Sequence, residues 1–108
     1  MTEETKKCFM PEEADKFIAL GLDPNTRDYT WVDGKPTWSV SKILELFPTV
    51  ELEFDERGIT CNAYGEEGEL IIRKFSRRCE QECLYKVVCY LLKNYGYDFI
   101  KDFKAISI

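Results

Sequence analysis

The sequence predicts an α+β fold in a single domain, 1–108. Its 108 residues match the usual size of one domain. Apolar residues alternate with acidic ones in the middle of the chain, as in half-buried strands, and recur at helical spacing towards both ends. An aromatic content of 14% is too high for a disordered chain. We expect a three- to five-stranded, mainly antiparallel sheet with a meander over about 49–75, a long C-terminal helix over about 77–95 and two shorter helices over about 11–20 and 40–47.

The first helix is predicted from its two ends. Pro11 suits the first helical position, and the acidic residues after it suit the positive end of the helix dipole. Gly21 suits the left-handed residue that ends a helix, and Leu22 suits the apolar contact that often follows. The apolar stripe comprises Ala14, Phe17, Ile18 and Leu20. A turn is predicted over 23–26, which contains Asp, Pro and Asn.

A hairpin is predicted after this turn. Two short runs, Tyr29–Val32 and Lys35–Trp38, flank Asp33 and Gly34, a dipeptide that accepts the positive φ angles of a two-residue type I′ turn. Pro36 has no N–H group to donate, so the second run belongs at the edge of a sheet. An ordered loop is the alternative to this hairpin.

The second helix is short and has one apolar face. Ser39 or Thr37 can cap its start, and Pro48 ends it. The face follows the i, i+3, i+4, i+7 spacing and comprises Val40, Ile43, Leu44 and Phe47. Because this face is apolar over two helical turns, we expect it to pack against another part of the protein.

The meander and the long helix follow. Two strands alternate regularly, with apolar residues at Val50, Leu52 and Phe54 and again at Ile59, Cys61 and Ala63. The third strand, from Glu69 to Phe75, is apolar on both faces, so its register stays open. Ser76 suits the cap of the long helix and Gly96 suits its stop. The apolar tail, 97–108, should dock on the body of the protein or on a second copy, which would give a homo-oligomer.

Net charge and residue types narrow the functional classes. The formal net charge is −5, so we do not expect general binding of nucleic acid or of an anionic membrane. No apolar run approaches the ~20 residues of a membrane span, and the charged first residues do not resemble a secretory signal, which favours a cytoplasmic location. Because the chain contains no histidine, the commonest general base, we predict no catalytic residues, no metal site and no cofactor.

The five cysteines are expected to be reduced and structural. An odd number in a chain without a signal favours thiols in a reducing compartment. Cys79 and Cys83 lie one helical turn apart, but the chain has no C-x-x-C pair. Buried thiols that pack as small apolar groups are therefore favoured over a metal site.

Four runs of residues carry a resemblance to a known family. They are Cys8–Ala14, Ala19–Thr26, Trp38–Val40 and Leu44–Pro48. In this order they resemble a family of short proteins encoded by phages, prophages and mobile elements of gut anaerobic bacteria. The resemblance extends to about Gly96, apart from the stretch between residues 26 and 38. It implies an intracellular accessory role, and it assigns neither an activity nor functional residues.

One group of cations is a candidate site for anion binding. This cation cluster comprises Arg73, Lys74, Arg77 and Arg78. With Arg77 and Arg78 at the start of the predicted helix, unpaired backbone N–H groups beside them would suit a phosphate or an acidic partner. The alternative is structural, with the two helical arginines paired to glutamates 80 and 82, and the two strand cations paired to glutamates 66, 67 or 69.

The aromatic residues of the predicted hairpin are a candidate interface. Tyr29 and Trp31 are of the residue types that dominate interface hot spots, although both could instead pack on one face of a strand. We expect Trp38 to lie in the core. The leading hypothesis is a non-catalytic intracellular protein-interaction module of phage or mobile-element origin, with a protein partner bound through Tyr29 and Trp31. The alternative is binding of nucleic acid or another phosphate-bearing ligand at the cation cluster.

Overall fold

The computed structural model describes the backbone of residues 8–100 and the side chains of residues 8–98, and it has the α+β fold that the sequence predicts. In chain order the elements are α1 (Pro11–Ala19), β1 (Tyr29–Thr30), β2 (Pro36–Thr37), α2 (Val40–Leu46), β3 (Val50–Asp55), β4 (Gly58–Tyr64), β5 (Leu70–Ser76), α3 (Glu80–Asn94) and α4 (Tyr97–Ile100). β1 pairs with β2, and β3, β4 and β5 form a separate antiparallel sheet in chain order. The predicted meander, long helix and two shorter helices are therefore confirmed.

Helix α1 begins and ends as predicted. The backbone N–H of Met10 donates to the Glu13 carboxylate at 2.8 Å, which satisfies a donor at the start of the helix. At the other end Gly21 has a φ of +109°, and the N–H of Leu22 donates to the carbonyl of Phe17 at 3.0 Å. This left-handed stop turns Leu22 into the core, where it is 1% exposed.

The hairpin exists, but its turn differs from the predicted two-residue type I′ turn. The N–H of Trp31 donates to the carbonyl of Lys35 at 2.8 Å, so the loop contains three residues, 32–34. The N–H of Gly34 in turn donates to the carbonyl of Trp31. Gly34 has a φ of +91°, and no described residue other than glycine has a positive φ, which excludes type I′ at Asp33. A type I turn followed by one left-handed residue needs only the glycine there, which is less demanding than type I′.

Polar side chains hold the end of the hairpin and the start of α2. Ser39 caps α2 by accepting from the N–H of Lys42 at 3.0 Å. The Asp28 carboxylate accepts from both the N–H and the hydroxyl of Ser39, at 2.8 and 2.7 Å. The buried Thr37 hydroxyl donates to the carbonyl of Phe9 at 2.9 Å. These bonds join segments that are distant in sequence and fix the hairpin against the core.

A bulge in β5 resolves the register that the sequence leaves open. Ala63 of the central strand faces Ile72, whereas the next residue, Tyr64, faces Leu70. Ile71 is therefore the extra residue, and Leu70 and Ile72 lie on opposite faces of the sheet. Helix α3 covers the face that carries Ala63, Ile72 and the fully buried Cys61.

Helix α3 begins at Glu80, three residues later than predicted, and ends at Asn94. Ser76 is the last residue of β5, and its hydroxyl accepts from the N–H of Cys79 and donates to the Glu82 carboxylate at 2.7 Å. Because Ser76 organises the loop in front of the helix, Arg77 lies in that loop and outside the first helical turn.

The core gathers aromatic residues from both halves of the chain. Phe17 makes edge-on contacts with Phe9 and Trp38, with ring centroids 5.1 and 5.7 Å apart, and a tilted contact with Tyr85 of α3. The tail that the sequence predicts to dock lies outside the described side chains from residue 99 on. Within the described part, the ring of Tyr97 lies 5.8 Å from the buried Phe47.

Candidate binding surface

The three aromatic residues of the hairpin have different surroundings. Trp38 is fully buried, as predicted, and its indole N–H donates to the Thr26 hydroxyl at 2.9 Å. Tyr29 and Trp31 are both half-buried. Val32, at the tip of the loop, is 74% exposed. The hairpin therefore offers a partner only part of each candidate side chain and does not form a flat aromatic platform.

Trp31 lines a cleft between the hairpin, the segment before α1 and the first turns of α3. This Trp31 cleft has a volume of about 380 Å³. Its apolar walls include Met10, Trp31 and Tyr85, and its polar rim includes Glu13, Glu82 and Lys86. Met10 is 47% exposed, so its flexible thioether can adapt to a bound side chain.

The structure separates the members of the cation cluster. Arg73 and Lys74 are neighbours on β5, so they lie on opposite faces of the sheet. Arg73 donates to the amide oxygen of Asn62 at 2.6 Å, whereas Lys74 lies opposite Cys61 on the face that α3 covers. Arg77 and Arg78 are exposed in the loop between β5 and α3.

The helix end that was expected to bind an anion at Arg77 and Arg78 is acidic. Glu80 and Glu82 occupy the first turn of α3, and neither arginine belongs to that turn. Arg77 instead borders a hollow of about 470 Å³ with Glu56 and Phe75. The predicted structural ion pairs are absent as well, because within residues 8–98 no cation of the cluster lies within 4.0 Å of a carboxylate.

A second set of cations converges on one hollow, and all of them except Lys74 come from outside the cation cluster. A groove of about 630 Å³ runs between α1, α3 and β5. Four lysines line it, and they are Lys16, Lys74, Lys86 and Lys93. Between them lie Leu20, Ile72, Tyr85, Cys89, Tyr90 and Asn94. None of the described residues that line this lysine groove is acidic.

Sequence reasoning identified only Lys74 among these four lysines. Lys86 and Lys93 are seven residues apart, so they share a helix face, and this spacing was visible in the sequence. Lys16 comes from α1, and nothing in the sequence shows that α1 packs beside this face of α3. The convergence depends on contacts between elements, which local patterns do not contain.

Burial and nearby groups shift the pKa of two side chains that line the groove, Cys89 and Tyr85. Burial raises the pKa of the Cys89 thiol, a hydrogen bond from Tyr85 and the positive charge of Lys16 lower it, and the negative charge of Glu13 raises it again. Burial, and then the neighbouring Cys89, raise the pKa of Tyr85 to about 12. Tyr85 is therefore a neutral phenol at physiological pH, and it contributes no negative charge to the groove.

Two of the thiols, those of Cys61 and Cys83, pack in the core. Burial raises the pKa of Cys61 to about 12 and also raises the pKa of its neighbour Cys83. Both side chains are fully buried. In the part of the chain that the structure describes, no three residues of the types that ligate metals are grouped closely enough to hold an ion.

One buried polar atom belongs to a residue that lines none of these three hollows. The amide nitrogen of Asn62 has no hydrogen-bond partner among the described residues, although the side chain is fully buried. Its oxygen accepts from Arg73. Glu51, which lies opposite Asn62 on the neighbouring strand β3, accepts from the Tyr64 hydroxyl at 3.0 Å.

No protein-family model, curated protein or solved structure matches this chain. The resemblance to proteins of phages and mobile elements therefore stays a prediction. Among the described helices, none combines the length and the apolar content that crossing a bilayer requires.

Proposed function

We propose that this chain is a non-catalytic, intracellular protein-interaction module, an accessory protein of a phage or mobile element, and that the Trp31 cleft binds a side chain of its partner. The observation that carries the proposal is the half-buried Trp31 in a concave site with an apolar wall and a polar rim. Interface hot spots have this composition, with aromatic anchors packed in pockets and polar groups around them.

The surroundings of Trp31 favour binding by a preformed site. The backbone N–H of Trp31 donates to the carbonyl of Lys35 across the hairpin, and the neighbouring strand is joined to the core through Thr37. A side chain that is already ordered loses little conformational entropy when a partner binds. Half-buried Tyr29 lies two residues before Trp31 on the same hairpin, outside the lining of the cleft.

Anion binding at the cation cluster, the alternative, lacks comparable support. Its members point to different parts of the surface, and the helix start beside Arg77 carries Glu80 and Glu82. A phosphate needs donors that converge on one point. No observation on the described residues favours this site over the cleft.

A peptide selection tests the proposal. A library of random peptides displayed on phage would be selected against the protein, and recovered peptides would be measured with purified variants. We expect peptides with a large apolar residue, whose affinity falls about tenfold or more in Trp31→Ala. The matched control is Val32→Ala, because Val32 is adjacent, 74% exposed and outside the cleft lining.

A second variant guards against a folding defect. Met10 lines the cleft with a side chain that is 47% exposed and supports the start of α1 with backbone hydrogen bonds, which alanine keeps. Met10→Ala should therefore weaken the same peptides and lower the melting temperature only slightly. Peptides that bind equally to Trp31→Ala, Met10→Ala and the unmodified protein would contradict the proposal.

A further inference from the structure

We infer that the partner segment bound at the Trp31 cleft continues into a short acidic stretch, and that the lysine groove binds this stretch. The inference rests on the proposed function and adds the chemistry of the partner. The two hollows are adjacent, because Tyr85 and Lys86 line both of them. Tyr85 and Lys86 face Trp31 on the side of the cleft. On the side of the groove they face three further lysines, which are Lys16, Lys74 and Lys93.

Charge complementarity identifies the occupant of the groove. Four ammonium groups line it without a carboxylate among the described lining residues, in a chain whose formal net charge is −5. All four lysines are exposed, so each side chain can move to meet a ligand. Like charges that gather on one surface repel one another, and a ligand of opposite charge removes that repulsion.

The length of the surface matches a short extended peptide. Gln81 borders the cleft and Asn94 borders the groove, and both belong to α3. At 1.5 Å per residue, this part of the helix is about 20 Å long. An extended chain advances about 3.3 Å per residue, so about six residues would run from the cleft to the far end of the groove.

The walls of the groove also suit a peptide. Leu20 and Ile72 are half-buried and provide apolar surface between the lysines. The Tyr90 side chain is 40% exposed, and its hydroxyl can donate to a carbonyl or a carboxylate. Glutamate side chains combine methylene groups with a charged end, so they match a groove with an apolar floor and cationic edges.

A peptide is favoured over a nucleic acid by the surrounding charge. Acidic residues at both helix starts, Glu12 and Glu13 on α1 and Glu80 and Glu82 on α3, would repel a polyanion that extends beyond the groove. The cations of the groove are all lysines, which act as point charges and lack the planar fork by which arginine binds phosphate in two places.

Three labelled peptides test the inference. Each contains one leucine as the anchor, followed by five glutamates, five glutamines or five lysines, and binding is measured by fluorescence anisotropy. We expect the glutamate peptide to bind at least about tenfold more tightly than the glutamine peptide. Its affinity should fall as salt rises from about 0.05 M to about 0.3 M, because the Debye length shortens.

Two double variants with the same change in charge locate the site. Lys86→Glu with Lys93→Glu should weaken the glutamate peptide about tenfold or more, whereas Arg77→Glu with Arg78→Glu should change its affinity less than about twofold. All four residues are exposed, so both variants should fold. Equal affinity for the glutamate and glutamine peptides, or no binding of either tighter than about 1 mM, would overturn the inference.

The outcomes separate this inference from the proposed function. Selected peptides that depend on Trp31 but carry no acidic residues would leave the interaction module standing and refute the acidic stretch. Acidic peptides that respond to the lysine variants but not to Trp31→Ala or Met10→Ala would refute the cleft as the anchor. A six-nucleotide single-stranded DNA that displaces the glutamate peptide and binds more tightly would assign the groove to phosphates and overturn the inference.

Discussion

The cation cluster and the lysine groove contain four cations each and differ in how the fold treats them. In the cluster, positions that are adjacent in sequence are separated, because neighbours on β5 face opposite sides and the last two cations lie in a loop. In the groove, cations from α1, β5 and α3 meet around one hollow. Lys74 belongs to both sets. Local density of charge in a sequence is therefore a poor measure of its density in space.

The largest expected effect concerns the contact that brings α1 to α3. Phe17→Ala removes a fully buried ring that touches Tyr85, so we expect the free energy of unfolding to fall by about 3–5 kcal/mol. Urea titration measures this loss. The control is Phe75→Ala near the cation cluster, where the ring is 47% exposed and the loss should stay below about 1.5 kcal/mol. Equal losses would show that α1 is not held mainly through Phe17.

The next effect concerns the backbone beneath the cation cluster. A Cβ at Gly58 would lie 2.5 Å from the carbonyl oxygen of Ser76 and 2.9 Å from the Cα of Arg77, and φ is +150°. Gly58→Ala should therefore destabilise the protein by about 1–3 kcal/mol. Gly34→Ala is the control, since φ there is +91° but nothing lies within 4 Å of the added carbon. Gly58→Ala should lower the melting temperature further than Gly34→Ala, and the reverse order would contradict this packing.

A smaller effect distinguishes the two sets of cations directly. Neutralising Lys86 with glutamine should stabilise the free protein by a few tenths of a kcal/mol at low salt, because it relieves repulsion among the lysines of the groove. The same change at Arg77 and Arg78 should not stabilise it. Melting curves at low and high salt measure the difference, which salt should abolish. If neutralisation stabilises the protein equally in the lysine groove and at Arg77 and Arg78, the two sets of cations do not differ in mutual repulsion.

The smallest effect is a pH dependence at the rim of the cleft. Burial raises the pKa of Glu13, which the hydrogen bond from Met10 only partly offsets. The folded state therefore holds this proton more tightly than the unfolded state, and the ionised form lowers stability as pH rises through the folded pKa. Glu13→Gln should remove this contribution, with a small gain in melting temperature at pH 7 and none below the unfolded pKa. A larger gain in melting temperature at acid pH than at neutral pH would contradict a raised pKa of Glu13 as the cause.

The parts of the fold that follow local rules could be predicted from the sequence. The stop of α1 at Gly21 and the alternation at the start of β3, where Val50 is buried and Leu52 half-buried, depend on residues close together in the chain. The alternation does not continue to Phe54, which is 63% exposed.

The start of α3 could not be predicted in this way. The Ser76 hydroxyl accepts from the N–H of Cys79 in the loop and donates to Glu82 in the helix, so a serine at this position does not by itself mark the first residue of the helix. The lysine groove required the packing of α1 on α3, which brings Lys16 near Lys86.

The order of the strands has a consequence for synthesis of the chain. β3, β4, β5 and α3 follow one another and pack as sequence neighbours, so they can form as soon as they are made. Phe17 and Trp38 are made earlier, yet the helix that closes over Phe17 is the last long element. A nascent chain will therefore carry exposed aromatic rings until α3 leaves the ribosome, and during that interval a chaperone that recognises apolar segments can bind there.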